Sequence, residues 1–187
     1  MRPMINFIKT KNSQKKLIGV EIGVSLGNNA LNILQNLQIK KLYLIDPYLK
    51  YDDYNETEFH DTLPVGGRTW KLYNQNQKEQ NKNFTHAKNT LKEYKSKIKF
   101  IRKKSEDTAD SIPNHSLDFA YIDGNHNYKY VEKDIKLFYQ KIKPGGVLGG
   151  HNYQIVIEGV VEAVDEFVEK NNIELFTKPD DWWVVCP

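Results

Sequence analysis

The chain has 187 residues, a formal net charge of +3 and one cysteine, Cys186. This length suits a single domain with a substantial core, and the small charge gives no strong electrostatic case for nucleic acid or membrane binding. The lone cysteine excludes a disulfide within the chain. No apolar run reaches membrane-spanning length, and residues 1–16 lack the apolar core of a signal peptide. The sequence therefore predicts a soluble, cytoplasmic protein.

Strand and helix patterns alternate along the chain, which favours a parallel sheet with helices on both faces. We expect a Rossmann-like, doubly wound α/β fold with a mostly parallel seven-stranded sheet and an antiparallel last strand. One domain, residues 1–187, contains all of it. In chain order the predicted elements are strand 17–22, helix 28–37, strand 41–46, strand 98–102, strand 117–123, helix 128–142, strand 146–150, helix 157–170, and an antiparallel pair of edge strands at 174–177 and 181–186.

A glycine turn follows the first predicted strand. Gly23, Ser25 and Gly27 lie where the backbone can pass close to a ligand, since glycine has no Cβ to collide with it. The helix that follows offers free N–H donors. Asp46 ends the second strand about twenty residues later, where a carboxylate can accept hydrogen bonds from both ribose hydroxyls. The layout predicts a pocket for a nucleoside-like cofactor.

The turn also indicates which cofactor binds. Ser25 stands where a dinucleotide fingerprint has the glycine that admits a pyrophosphate. Glu21, just before the turn, would repel a pyrophosphate but suits a ligand with an ammonium group. S-adenosylmethionine carries adenosine, a sulfonium and an ammonium, and no phosphate, so these residues favour it. An ordinary glycine turn of an α/β protein is the alternative.

The connection at residues 47–97 is longer than a single helix requires. Residues 78–97 look helical although polar, while residues 48–73 are rich in aromatic and acidic side chains. Long loops in compact domains often act as lids, and the aromatic content argues against simple disorder. We interpret this insert as a lid hinged at Gly66 and Gly67, or else as a packing element.

A second cluster follows the fourth and fifth strands. Asp123, His151 and Asn152 fall at strand ends that should face the same crevice as the glycine turn. Their carboxylate, imidazole and amide groups could hold a divalent cation such as Mg²⁺, which would lower the pKa of a substrate hydroxyl. His126 could take the proton as general base. The structural alternatives are a carboxylate that caps a turn, a polar turn histidine and a pair that holds a loop together.

Ser105 and Glu106 come directly after the third strand. There they could contact the edge of an adenine ring. The rival interpretation is a helix start, with Ser105 as N-cap and acidic residues in the first turn.

Together these motifs resemble the class I S-adenosylmethionine-dependent methyltransferases, and within them a small group with an Asp-Gly-x-His-x-Tyr motif. That group is related to catechol and macrolide-sugar O-methyltransferases. The resemblance covers about residues 17–186, apart from much of the insert. The matching residues are Glu21, Gly23, Gly27, Asp46, Ser105, Glu106, the run 123–128, the run 143–146, His151 and Asn152.

The resemblance implies roles for the cofactor residues. Glu21 and the glycine turn should face the methionine part of S-adenosylmethionine. Asp46 should bind the ribose, Ser105 or Glu106 should bind the adenine, and Asp123 should border the cofactor.

It also implies roles in the chemistry. Asp123 matches the first metal-binding carboxylate of these enzymes, and His126 falls where they place a lysine or histidine base. His151 and Asn152 match the second metal-binding pair. That pair is usually acidic at one position, and because neither residue is acidic here, a hard cation would be held weakly. Catechol-type enzymes also have N-terminal helices over the site, whose place the insert could take in this chain.

The leading hypothesis is an O-methyltransferase that acts on a small hydroxylated acceptor, with a sugar as one candidate. The chain lacks the Asp/Asn-Pro-Pro-Tyr motif of amino-methylating enzymes that act on nucleic acids. Two other hypotheses remain: a catalytically silent cofactor-binding protein that engages a partner through the aromatic insert, and a Rossmann-like oxidoreductase. A homodimer is conceivable through a sheet edge or the insert.

Overall fold

A computed structural model describes residues 1–12, 14–50, 76–154 and 157–187. Within these ranges the strands are β1 (Leu17–Ile22), β2 (Ile39–Ile45), β3 (Ile98–Ile101), β4 (Leu117–Ile122), β5 (Ile142–His151), β6 (Phe176–Lys178) and β7 (Asp181–Val185). The α-helices are α1 (Pro3–Lys11), α2 (Asn28–Asn36), α3 (Gln77–Thr90), α4 (Tyr128–Tyr139) and α5 (Glu158–Asn171). Short 3-10 helices lie at Lys92–Tyr94 and Ala109–Ser111.

The described strands form one sheet in the order β3-β2-β1-β4-β5-β7-β6. Neighbours from β3 to β5 pair in parallel, whereas β7 pairs antiparallel with both β5 and β6. The predicted fold class, including the antiparallel pair at one edge, is confirmed. The strand order reverses direction between β1 and β4, and ligands of open α/β sheets bind at the carboxyl ends of the strands at such a point.

Alternating strand residues supply two apolar layers, one on each face of the sheet. Gly19 of β1 leaves room for the ring of Phe119, which an added Cβ would approach to 2.1 Å. The layer beneath α4 and α5 includes Val20, Ala120, Ile122, Ile135 and Val164. The layer beneath α1, α2 and α3 includes Ile8, Ile33, Leu42, Phe119 and Tyr121. None of the helices in the described ranges is long and apolar enough to cross a membrane.

α1 is not apparent from the sequence pattern. The helix begins with Pro3 at a position that tolerates proline, and it buries Met4, Ile5 and Ile8 almost completely. Phe7 adds a ring contact to Trp183 of β7, with ring centres 5.4 Å apart. The helix is only nine residues long and polar on its outer face, so its sequence signal is weak. Its position is set by packing against the sheet.

The start of β5 corrects a prediction. Residues 143–146 were expected to end the preceding helix and turn into a strand at residue 146. Instead α4 ends at Tyr139, and β5 already begins at Ile142. The N–H of Gly145 donates to the carbonyl of Cys186 (2.7 Å), and the N–H of Cys186 donates to the carbonyl of Gly146 (2.9 Å). This backbone pairing with the end of the chain keeps the proline-glycine segment in the sheet.

The insert is described only in part. Its polar helical stretch forms α3, which the side chain of Asn76 caps by accepting a hydrogen bond from the N–H of Glu79 (3.1 Å). α3 packs against α2, and Ala87 is fully buried there. Most of the aromatic part of the predicted lid, residues 51–73 with the hinge at Gly66 and Gly67, lies outside the described residues.

We expect α1 to contribute substantially to stability. Replacing Ile8 with Ala removes a fully buried side chain and should lower the free energy of unfolding by about 2–5 kcal/mol. Lys9→Ala, an exposed neighbour on the same helix, should change it by less than about 0.5 kcal/mol. Denaturant titration of both variants measures the difference. Equal stabilities would show that α1 is not docked.

Candidate functional site

Gly23 brings the ends of β1 and β4 into direct contact. Its φ is +85°, and an added Cβ would lie 2.0 Å from the carbonyl oxygen of Asp123. Both the left-handed backbone and the close approach require glycine. The glycine turn of residues 23–27 therefore lies against the residue that follows β4, as the sequence predicted for one shared crevice.

Asp46 holds this turn in shape. Its Oδ2 accepts hydrogen bonds from the N–H groups of Val24 and Ser25 (both 2.9 Å), and its Oδ1 accepts one from Tyr48 (2.7 Å). The Tyr48 hydroxyl in turn donates to the Ser25 carbonyl (2.9 Å). Burial raises the pKa of Asp46, and the three hydrogen bonds oppose that rise. A carboxylate has about four acceptor positions, so three backbone bonds leave capacity for a ribose hydroxyl.

A cleft opens beside the turn, enclosing about 800 Å³ with its open mouth included. The space within it that a water-sized sphere can occupy is about 70 Å³, below the about 300–1,000 Å³ of formed small-molecule sites, so much of the cleft is open to solvent. We call it the cofactor cleft. Most of the predicted cofactor residues line it: Gly23, Ser25, Asp46, Ser105, Glu106 and Asp123. Glu21 and Gly27 do not. Gly27 instead has φ +83° at the start of α2.

Glu21 lies buried behind the turn. Its Oε1 accepts a hydrogen bond from the Asn29 amide (2.9 Å), while Oε2 has no hydrogen-bond partner among the described residues. Burial raises the pKa of Glu21 to about 8, against the opposing hydrogen bond from Asn29. A buried carboxyl with one unmatched oxygen is suited to a cationic group.

Ser105 and Glu106 face partners on α4. Ser105 donates a short hydrogen bond to Asp134, and Glu106 pairs with Lys133 at 3.2 Å. The Ser105 side chain is thus engaged away from any helix start, although its carbonyl accepts from the N–H groups of Thr108 and Ala109.

Asp134 is a cleft residue that the sequence analysis missed. It lines the cofactor cleft and is buried, and burial raises its pKa to about 7. The sequence does contain a signal for this residue. Asp134 interrupts the apolar face that Val131, Ile135 and Phe138 form on α4. A carboxyl at a core position of an amphipathic helix indicates a polar site.

Asp123 is surrounded by cationic and polar groups. Arg2 Nη1 lies 3.3 Å from its Oδ2, and His126 Nε2 lies 3.7 Å from its Oδ1. Burial acts to raise the pKa of Asp123, but the contact with His126 and the charge of Arg2 outweigh it and leave the pKa lowered. His126 itself is buried beside Val131 and Trp182 and does not line the cofactor cleft.

His151 contacts a carboxylate that the sequence analysis did not consider. Its Nδ1 lies 3.1 Å from Oδ1 of Asp181, which is fully buried at the start of β7. Asp181 also accepts hydrogen bonds from the Tyr121 hydroxyl (2.7 Å) and the Met4 N–H (3.0 Å). Its place opposite His151 follows from the antiparallel register of β5 and β7, which the sequence did not specify.

The predicted metal site lacks support. Within the described ranges, no group of three or more His, Cys, Asp or Glu side chains is arranged to hold a metal ion. Asp123 already has Arg2 as counter-ion, and the ring of His151 faces Asp181. Asn152 has a left-handed φ of +63°, and its carbonyl accepts from the N–H of Gln154 (2.9 Å). Asp123, His151 and Asn152 as they stand do not fit a divalent cation.

Comparisons with known proteins fit this geometry. A family model described as a methyltransferase domain matches residues 20–153. An uncharacterized protein of Acanthamoeba polyphaga mimivirus is 31% identical over 142 residues, which are 72% of this chain and 51% of that protein. The chain thus spans about half the length of this curated relative.

Solved structures share the fold. The O-methyltransferase NovP is 19% identical, with 98% of this chain and 79% of NovP covered and a TM-score of 0.67. The calicheamicin methyltransferase CalS11 is 10% identical, with 97% and 77% covered and a TM-score of 0.69. An O-methyltransferase from Bacillus cereus, in complex with SAH, is 12% identical, with 99% and 82% covered and a TM-score of 0.63. At these identities the likeness shows the fold alone.

The hydrogen bonds to Asp46 can be tested directly. Asp46→Asn replaces one acceptor oxygen with an NH₂ group that faces backbone N–H donors, and it should lower the free energy of unfolding by about 1–3 kcal/mol. Thermal and denaturant unfolding measure the change. Asp110→Asn, an exposed acid outside the cleft, is the matched control. A stability equal to that of the wild type would contradict the role of Asp46 in holding the turn.

Proposed function

The chain belongs to the methyltransferase-domain family, and we propose that it transfers a methyl group from S-adenosylmethionine to a hydroxyl oxygen of a small acceptor, with a sugar as one candidate. Membership confirms the predicted resemblance to class I methyltransferases. The narrower group with the Asp-Gly-x-His-x-Tyr motif stays a prediction.

The observation that carries the proposal is the cofactor cleft at the switch between β1 and β4. Asp46 is proposed to accept a hydrogen bond from one ribose hydroxyl, using the acceptor position that its three backbone bonds leave. Ser105, Asp134 and Glu106 border the part of the cleft proposed for the adenine. The unmatched Oε2 of Glu21 supports the placement of a cationic ammonium near the turn.

The proposed reaction needs an aligned oxygen and a place for one proton. S-adenosylmethionine supplies an electrophilic methyl group, so that a C–O bond forms as the C–S bond breaks and a neutral thioether remains. Positioning provides much of the acceleration in such a transfer. Asp123 lines the cleft and is proposed to orient the acceptor hydroxyl. His126, 3.7 Å behind Asp123, is the proposed final acceptor of the proton.

Cofactor binding tests the proposal first. Calorimetric titration with S-adenosylhomocysteine should show one site with a dissociation constant in the micromolar range, about −8 kcal/mol. NADH, which carries a pyrophosphate, should bind at least tenfold more weakly, or about 1.4 kcal/mol, because Ser25 stands where a pyrophosphate site needs glycine. No binding of S-adenosylhomocysteine, or tighter binding of NADH, would contradict the proposed cofactor.

Turnover separates an enzyme from a silent cofactor-binding protein. Tritium transfer from methyl-labelled S-adenosylmethionine to a panel of hydroxylated small molecules should be detectable with the wild type. It should fall by at least about 10²-fold in Asp123→Ala, the scale of losing an acid–base or orienting group. Binding of S-adenosylhomocysteine without transfer to any acceptor would favour the silent protein.

Glu21 predicts a proton linkage. With its pKa raised to about 8, the carboxyl is mostly protonated at pH 7 in the free protein, and an ammonium beside it favours the charged form. Binding of S-adenosylhomocysteine at pH 7 should therefore release close to one proton, and affinity should rise with pH up to about 8. Calorimetry in buffers of different ionisation enthalpy measures this release, which Glu21→Gln should abolish. If Glu21→Gln released as many protons on binding as the wild type does, a group other than Glu21 would be responsible for the proton release.

A further inference from the structure

Arg2 occupies a position between two buried acids. Its Nη1 lies 3.3 Å from Oδ2 of Asp123 and 3.9 Å from Oδ1 of Asp181, and it donates to the Tyr121 hydroxyl at 2.8 Å. The guanidinium also lies over the Tyr121 ring, 5.5 Å from its centre. The side chains of Asp123 and Asp181 are only 15% and 0% exposed. A positive charge is needed here, because burying two carboxylates without a counter-ion is costly.

The fold fixes where this charge lies. Arg2 directly precedes α1, whose side chains Met4, Ile5 and Ile8 are buried against the sheet. The N–H of Met4 donates to Oδ2 of Asp181 at 3.0 Å. The start of α1 is thus tied to the acid that Arg2 faces, which sets the place from which the Arg2 side chain extends.

A second cleft begins at Arg2. Its lining includes Arg2, Asn32, His151, Asp180 and Asp181, and we call it the α1 cleft. Asp123 lines the cofactor cleft and Arg2 lines the α1 cleft, so their ion pair stands where the two clefts meet.

We propose that the Arg2 guanidinium supplies the positive charge that a divalent metal would otherwise provide at this site, and that it binds the acceptor hydroxyl. The acceptor enters from the α1 cleft. This inference rests on the methyltransferase function proposed above. Arginine keeps its charge at all working pH values and offers five N–H donors in a rigid fork. A hydroxyl oxygen can accept from one of these donors while its own hydrogen is donated to Asp123.

The same contacts explain why a metal ion is excluded. Divalent cations bind carboxylate oxygens at about 2.0–2.6 Å, so Asp123 and Asp181 would have to close on a position that Arg2 Nη1 now holds. A cation beside the guanidinium would meet a like charge at close range. Removal of the Arg2 side chain vacates the position and leaves the carboxylates of Asp123 and Asp181 without their shared cation, free to close on a metal ion that their present arrangement does not hold.

Binding of Mn²⁺ alone tests the inference without an acceptor. Free Mn²⁺ is measured by electron paramagnetic resonance during titration of protein saturated with S-adenosylhomocysteine. The wild type and the surface control Lys9→Ala should hold no Mn²⁺ tighter than about 1 mM, the weak end of carboxylate sites. Arg2→Ala should bind one Mn²⁺ per chain at least about tenfold more tightly, the effect of losing 1.4 kcal/mol of repulsion, and adding Asp123→Asn should abolish that site.

Two results would overturn the inference. One is a wild-type protein that binds Mn²⁺ in the micromolar range and loses it in Asp123→Asn. The other is a folded Arg2→Ala that binds Mn²⁺ no better than the wild type. Arg2→Lys keeps the charge and should exclude Mn²⁺ as the wild type does, so Mn²⁺ binding by this variant would also contradict the inference.

Two control measurements check that each variant folds and binds the cofactor. Thermal unfolding and the affinity for S-adenosylhomocysteine report whether each variant retains the fold and the cofactor cleft. If Arg2→Ala does not fold, Arg2→Gln removes the charge while keeping a side chain of similar length, and it should bind Mn²⁺ as expected for Arg2→Ala. Failure of the wild type to bind S-adenosylhomocysteine would refute the proposed function, whereas normal cofactor binding with a tight wild-type Mn²⁺ site would refute only the role of Arg2.

Discussion

The hydrogen bonding of Asp46 is the constraint on which the candidate site depends. One carboxylate collects the N–H groups of Val24, Ser25 and Tyr48 and so joins the glycine turn after β1 to the segment after β2. Ser25 is thereby held at a φ of +48°, which costs energy for a residue with a Cβ. Without this carboxylate the turn would lose its shape, and the cofactor cleft would lose one wall.

A second set of buried polar contacts ties α1 to the sheet. Asp181 receives the Met4 N–H and the Tyr121 hydroxyl while facing His151 and Arg2. These groups come from α1, β4, β5 and β7, so one buried acid connects four elements. The arrangement places a permanent positive charge at the carboxyl end of β4, next to the cofactor cleft, which links the stability of the N-terminal helix to the chemistry of the site.

Features that depend on neighbouring residues could be predicted from the sequence pattern. The bounds of β1 and the helical spacing of α2 follow from apolar periodicity, and the placement of Gly23 after β1 follows from the strand-turn-helix layout. Asp46 was expected to bind a ribose, and its hydrogen bonds to the turn were not predicted. Contacts between distant parts of the chain could not be predicted from the sequence. Arg2 and Asp123 are far apart in sequence, and His151 meets Asp181 only through the register of β5 and β7. The metal prediction lacked support for this reason, since the cation facing Asp123 comes from a helix with a weak sequence signal.

The central claim is that the cleft held open by Asp46 binds the adenosine and amino-acid parts of S-adenosylmethionine. A crystal structure of the chain grown with S-adenosylhomocysteine tests it most directly. We expect one ribose hydroxyl within hydrogen-bond distance of Asp46, about 2.5–3.0 Å, and the ammonium on the side of Glu21. S-adenosylhomocysteine bound at another surface, with the cleft beside Asp46 occupied only by water, would contradict it.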